Sequence, residues 1–370
     1  MPNGEISIVV IGDLVLDEPD ADHWLAGIAP ALRQADLAIG HVEVPHSDCE
    51  YEMPGDIPAP GAPPENLQAI ADAGIAMVSL AGNHVADCGA QGIAETVSGL
   101  DRAGVLHCGA GSNINLARKP AVTVVEGKRI AFLSYNCVGP EATWATATKA
   151  GCAYLPIRAN DGSPISPRAN LSEIDTEAYD ILRSDIAAAR DLADFVLVAM
   201  HKGIVHTPAK LAPYERDLAR AAIDAGCDAV IGHHAHIARG IEFHRGKPIF
   251  HGLGNGCVVT QALTLDQDHP ARREWAKRRR ETFGFEPDPA YTLAPFHPEA
   301  RNAFIGHLVF NENGNLRVGV IPVDVEPPGR PVIAEGGRAA EIAKYLEQIT
   351  SRAGMPPIDI DEHGFVSEAA

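Results

Sequence analysis

Short, nearly continuous apolar runs alternate along the chain with longer stretches in which apolar positions recur every three to four residues. Ile6–Ile11, Leu37–Ile39, Ala76–Leu80, Phe195–Met200 and Ala229–Ile231 are of the first kind and predict strands buried on both faces. Ala21–Arg33, Glu65–Ala73, Gln91–Ala103, Thr176–Leu192 and Tyr214–Ala225 are of the second kind and predict helices. Strand–helix–strand alternation implies parallel pairing, because the helix supplies the crossover. Elsewhere the pattern is that of hairpins. Ala121–Val125 and Arg129–Tyr135 flank Glu126-Gly127-Lys128, Ile241–Arg245 and Pro248–Phe250 flank Gly246-Lys247, and Phe304–Phe310 and Leu316–Val325 flank Asn313-Gly314. Pro54–Pro64 and Gly139–Pro167 lack periodicity and read as loops. The mixture predicts a single α/β domain over residues 1–353, with sheets inside and helices outside. Within it, Thr260–Arg301 is long for a connection and carries Trp275, Phe283, Phe285, Tyr291 and Phe296, so it reads as an inserted cap or lid. Residues 354–370 read as a polar, loosely held tail.

Composition supports a folded domain and narrows its partners. Of 370 residues, 46% are hydrophobic and 21% charged, enough for a sizeable core. The formal charge of −19 repels phosphate backbones and anionic lipid, so neither nucleic acid nor a membrane surface is an expected partner. Met1–Glu5 lacks a basic segment followed by an apolar one, and no apolar stretch is long enough to span a bilayer. The seven cysteines are scattered and form no C-x-x-C pair, which suits reduced, buried thiols and a cytoplasmic location.

The chemistry lies at the strand ends. Asp13 follows the first predicted strand, His41 and Glu43 the second, Asn83 and His84 the third; His201 and the trio His233, His234, His236 follow two later ones. Ligands of α/β sheets collect outside the carboxyl ends of strands. In extended backbone alternate residues share a face, so His234 and His236 should point together with His233 opposite. One strand-end histidine is usually a satisfied polar residue, the reading given to His23, His107, His244, His269 and His363. Five strand ends with metal-compatible side chains point instead to a bound divalent ion.

The stretches "IGDLVLD", "ADLAIGHVEVP", "AGNHVADCGAQGIAETVSGLDRAGVLHCGAG", "AMHKG" and "IDAGCDAVIGHHAHIARGIEFHRGKPIFHGLGN" resemble, in order and spacing, the CapA-like family of capsule and poly-γ-glutamate synthesis. That family is similar in fold to calcineurin-like metallophosphoesterases, so the resemblance implies an α/β/β/α sandwich of mixed sheets. It implies metal ligands at Asp13, Glu43, Asn83, His201, His234 and His236, holding one divalent ion, or at most two, of Ca, Mn, Zn or Mg. It also implies a His84–Asp87 pair, in which Asp87 would fix the tautomer of the imidazole. The chain departs from the family pattern at His41, Lys202, Ala235 and Gly256. Val15 stands where the phosphoesterase D-x-H signature has its histidine, which favours one well-held ion.

A lasso-peptide epimerase is a relative of this kind, and peptide Cα epimerisation is the leading expectation. It needs two proton-transfer groups on opposite faces. His84 with Asp87 would supply one, and His297 with an acid such as Asp13 the other. His41, Lys202, His233, Arg272, Arg273 and Phe296 are the candidate contacts to a peptide or peptide-like substrate. Hydrolysis of an amide such as a γ-glutamyl bond, or of a phosphoester, would use the same residues. A non-catalytic assembly factor for an anionic polymer is the remaining class, disfavoured by the charge of −19.

Overall fold

A computed structural model describes residues 5–53 and 59–369; residues 1–4, and residues 54–58 of the expected Pro54–Pro64 loop, lie outside them. Among the described residues the strands form an eight-stranded and a six-stranded mixed sheet, with smaller two-stranded pieces. The larger sheet runs Arg330–Ile333, Leu316–Glu326, Asn302–Phe310, Ile6–Leu16, Leu37–Val42, Ile75–Ser79, Leu106–Cys108, and Asn255–Val259 also pairs with Ile6–Leu16. The smaller runs Ile241–His244, Lys247–Phe250, Ala229–His233, Phe195–His201, Lys128–Asn136, Ala121–Val125.

The two sheets face each other. Ile8 and Val10 of one and Phe132, Leu197 and Phe250 of the other share one buried cluster. On the outer face of the larger sheet pack Leu25, Leu32, Ile70 and Leu100, from helices between its parallel strands. Leu182, Ile186, Leu218 and Ile223, from helices Thr176–Leu192 and Glu215–Asp224, cover the smaller sheet. The layers are therefore α/β/β/α. Every position of Ile6–Leu16 is buried, as a central strand covered on both faces requires.

Three features differ from the sequence expectation. The helical stretch Ala21–Arg33 is two helices, Ala21–Leu25 and Ala29–Gln34. The break includes Gly27, where a Cβ would lie 2.3 Å from the carbonyl oxygen of Pro331. A further helix, Gly336–Arg352, buries Ile342, Leu346 and Ile349 against the inter-sheet core. The tail is not loose: Ile358–Ile360 pairs with Val366–Glu368, and Phe365 bridges to Gly319 of the larger sheet. No helix of the described residues is long and apolar enough to cross a membrane.

Candidate metal centre

Parallel strands of both sheets end at the same edge of the sandwich, and their registers bring the polar side chains together. Asp13 lies opposite His41 on one side and Asn255 on the other. The strands close in here: a Cβ on Gly12 would stand 1.9 Å from the Gly254 carbonyl oxygen, and one on Gly256 2.7 Å from that of Gly12. Gly256, a departure from the family pattern, is thus the residue that lets Asn255–Val259 approach. In the smaller sheet His201 lies opposite His233 and Asn136.

Beyond His233 the chain is not extended. His234 (φ 87°) and His236 (φ 52°) are both left-handed, a conformation costly for side chains with a Cβ. This turn, not strand alternation, aims both rings at the site. His233 does not point away either: its Nδ1 lies 3.2 Å from Asp13 Oδ1, and its ring stacks on His41 with centroids 4.6 Å apart.

His201 Nε2 lies 2.7 Å from Asn83 Oδ1, 3.0 Å from His234 Nδ1 and 4.0 Å from Glu43 Oε1. His236 Nε2 lies 3.3 Å from the same Glu43 oxygen, and its Nδ1 3.6 Å from Asp13 Oδ2. Asp13, Glu43 and His236, and likewise Asp13, His41 and His201, place their ligand atoms within 4.8 Å of one another. Burial pushes Asp13 up to about 7, with the Glu43 charge adding to it. Burial also holds His234 down at about 3 and His201 well below its usual range, so both rings are neutral. Against the same burial, their mutual attraction draws Glu43 down and His236 up.

These donors fit a divalent cation. Two imidazole nitrogens 3.0 Å apart can share one proton at most, and Glu43 Oε2 and His234 Nε2 have no hydrogen-bond partner among the described residues. Buried lone pairs without partners are costly, and a cation satisfies several at once. Val15, buried beside this group, supplies no further ligand.

A cleft opens in front of the cluster, lined by Glu43, His236, His84, Asp17, Arg272 and Phe296 among others. His84 is partly exposed there, and its Nδ1 lies 2.6 Å from Oδ2 of the buried Asp87. The same oxygen accepts from the Ala59 amide at 2.6 Å. Residues 260–301 form the far wall. Their helix Pro270–Phe283 is tied down through Arg272 to Glu52, and Phe283, Phe285 and Phe296 surround the ring of His206.

Several expected contacts are placed elsewhere. His41, His233 and Lys202 are 0%, 3% and 0% exposed, and none of them lines the cleft. His41 Nδ1 meets Ser79 Oγ at 2.9 Å. Lys202 donates to Glu215 at 2.9 Å, inside a buried network that Arg239 completes. Arg273 bonds the Gln267 carbonyl and does not line the cleft. Asp13 is buried among the ligands and is not a wall residue. His297 lines a neighbouring recess with Asn255 and Phe296, and its Nδ1 accepts from the Glu299 amide at 3.1 Å, capping the turn Pro298–Arg301.

Sequence reasoning missed Asp17, His206 and the Glu215–Arg239 support. Asp17 and Glu18 look like a solvated turn, and His206 lies in an aperiodic stretch. The signal for the support was present in Glu215 and Arg239, charges flanked by apolar helix and strand positions.

Known proteins bear on this geometry. The capsule biosynthesis protein CapA of Bacillus anthracis is 26% identical over 281 residues, covering 72% of this chain and 62% of that protein. A probable polyglutamine synthesis accessory protein of Mycobacterium tuberculosis is 31% identical over 195 residues, 52% of this chain and 47% of that one. The chain thus spans less than two thirds of the length of either relative. Among solved structures, the calcineurin-like phosphoesterase YfkN from Bacillus subtilis overlaps 95% of this chain and 98% of its own, at 12% identity and a TM-score of 0.39. The model of the bacterial capsule synthesis protein PGA_cap family matches residues 7–258, a span that holds all six candidate ligand residues, and the chain belongs to that family.

Proposed function

We propose that the protein is a metal-dependent acid–base enzyme acting on an amide of a peptide-like substrate, with cleavage of a γ-glutamyl-type bond as the leading reaction. The observation that carries this reading is the His84–Asp87 pair, 2.6 Å apart and facing the cleft that Glu43 and His236 also line. Asp13, Glu43, Asn83, His201, His234 and His236 would hold the ion, which supplies Lewis-acid polarisation of a carbonyl when bound. Asp87 accepts from Nδ1–H of His84, which leaves Nε2 to exchange a proton with the substrate. In cleavage, a water attacks the carbonyl carbon and gives a proton to His84 Nε2, and His84 delivers that proton to the amide nitrogen as the C–N bond breaks, leaving a carboxylic acid and an amine. Phe296 and Val44 give the cleft apolar walls. The capsule and polyglutamine relatives support an amide-linked polymer as the substrate class.

A second reading, proton exchange at Cα as in a peptide epimerase, needs a second acid or base. It is favoured by His297, whose recess reaches Asn255, which in turn lies 3.0 Å from His236. Mass spectrometry of γ-glutamyl and α-peptides incubated in deuterated water separates the two. Cleavage supports the first reading. A gain of about 1 Da at Cα without cleavage, from one exchanged proton, supports the second. Neither product with any divalent metal sinks both.

A further inference from the structure

One polar group of the cleft belongs to neither the ion cluster nor the His84–Asp87 pair. Leu16 pairs with Val259, so Asp17 and Thr260 are the residues by which these two parallel strands leave the sheet together. Thr260 Oγ1 donates to Asp17 Oδ2 at 2.6 Å, and next to it Gln261 is held through its amide by Glu18 at 2.9 Å. The carboxyl of Asp17 is therefore fixed by one oxygen at the root of the 260–301 segment. Its other oxygen, Oδ1, is shielded from water and makes no hydrogen bond among the described residues. Asp17 lines the same cleft as His84, Glu43 and His236, with Arg272 also on its wall and apolar Val15, Val258 and Phe296 around it.

A buried acceptor without a donor is unfavourable by itself, and a ligand that brings the donor recovers the loss. Burial pushes the Asp17 carboxyl up to about 7, so the group is an ionised acceptor above that pH, and there the donor must be an N–H or O–H. A phosphate ester, anionic and rich in acceptors, would meet repulsion. An apolar surround strengthens the preference, because a mismatched ligand leaves the carboxyl unpaired with no water to replace the bond.

We infer that Asp17 is a specificity-determining residue of this cleft, its Oδ1 accepting a hydrogen bond from a substrate N–H, so that the site selects amide- or amine-bearing ligands over phosphate esters. This rests on the reading of the cleft as the substrate site. It adds which atom reads the substrate, at a residue outside the proton-transfer pair.

The test is calorimetric binding of γ-glutamylglutamate, of its analogue methylated on the amide nitrogen, and of inorganic phosphate, to the full chain. Well above pH 7, where Asp17 is ionised, the wild type should prefer the N–H dipeptide over the N-methyl one by about 10–100-fold, the strength of a hydrogen bond to a charged group. Asp17→Ala should bind both alike. Asp17→Asn keeps the shape but has a single carbonyl oxygen, which can accept from Thr260 or from the substrate N–H and not from both. It should weaken the preference, and a preference stronger than the wild type's would count against Oδ1 as the acceptor. Unchanged melting temperature of Asp17→Asn guards against a folding defect. No N–H preference in the wild type, a preference that survives in Asp17→Ala, or phosphate bound more tightly than the dipeptide would each overturn the inference. Failure of the underlying reading shows separately, as a His84→Ala protein that processes the dipeptide at the wild-type rate.

Discussion

Glu215 offers the most demanding test of how the centre is supported. Its side chain is fully buried and accepts from Lys202 Nζ at 2.9 Å, from Arg239 Nη1 at 2.9 Å to each oxygen, and from the Ala212 amide at 2.7 Å. Burial alone would raise its pKa, yet Arg239 and Lys202 draw it down to about 2 from 4.5. At about 1.4 kcal/mol per unit, that displacement corresponds to about 3 kcal/mol. The cost of stranding one side of a buried ion pair is independently about 3–5 kcal/mol. Glu215→Gln should therefore destabilise the protein by about 3 kcal/mol in urea unfolding. Lys202→Met alone should be milder, because Glu215 keeps Arg239. Combined, the two changes should fall short of their sum by about 1–2 kcal/mol, since the second removes a charge that the first stranded. Lys202 follows His201 directly, so Glu215→Gln should also weaken divalent-metal affinity by about 10–100-fold. The folded pKa is depressed, so the stabilisation is full above pH 4.5 and is lost as pH falls toward about 2; the variant should lack this component. Strict additivity, or a Glu215→Gln protein within about 1 kcal/mol of wild type, would refute the account of a charge network that stabilises through mutual pairing.

Three other outcomes follow from the geometry. His84→Ala should lower turnover by about 10²–10⁴-fold with the fold intact, and Asp87→Asn should shift the pH–rate profile; equal profiles for wild type and Asp87→Asn would show that the 2.6 Å contact does not set the tautomer. His46 is buried, with Nδ1 3.0 Å from the Pro63 carbonyl, and burial lowers its pKa from 6.5 to about 4. It then contributes stability above pH 6.5 that fades as pH falls to about 4, about 3 kcal/mol in all, and His46→Gln should flatten that part of a stability-versus-pH curve. Gly12→Ala would place a Cβ 1.9 Å from the Gly254 oxygen, so it should lower both stability and metal content; a variant with wild-type melting and metal stoichiometry would contradict the close approach of the two strands.

Much of the layered fold is legible because its strands are buried on both faces and leave unbroken apolar runs such as Phe195–His201, while Thr176–Leu192 keeps a clear helical stripe. What escaped depends on partners distant in sequence. Gly27 lies at the break between two helices with Pro331 against it, and the short strand Val366–Glu368 gains its place from Gly319 and Pro357. The clustering of the candidate ligand residues is legible as a set, because strand ends converge in any sandwich of this kind. Their individual orientations are not. The left-handed turn at His234 and His236 has no glycine to announce it, and Lys202 looks like a surface cation until Glu215 and Arg239 are seen to close around it.

The placement of Ile6–Leu16 has a consequence for how the chain comes into being. Its N-terminal half needs Asn302–Phe310 on one edge, with Val10 opposite Gly306, while its C-terminal half needs Asn255–Val259. At about 5–20 residues per second, a ribosome takes about 15–60 s to deliver those partners after the strand itself has emerged. Throughout that interval this wholly buried strand has one bare edge, open to pairing with any other unfinished strand. The waiting time is set by topology and not by stability, so raising the stability of the finished protein would not shorten it. Yield in a cell should therefore respond to temperature, translation rate and chaperone supply, and fragments ending before residue 302 should aggregate even though they carry all six candidate ligand residues.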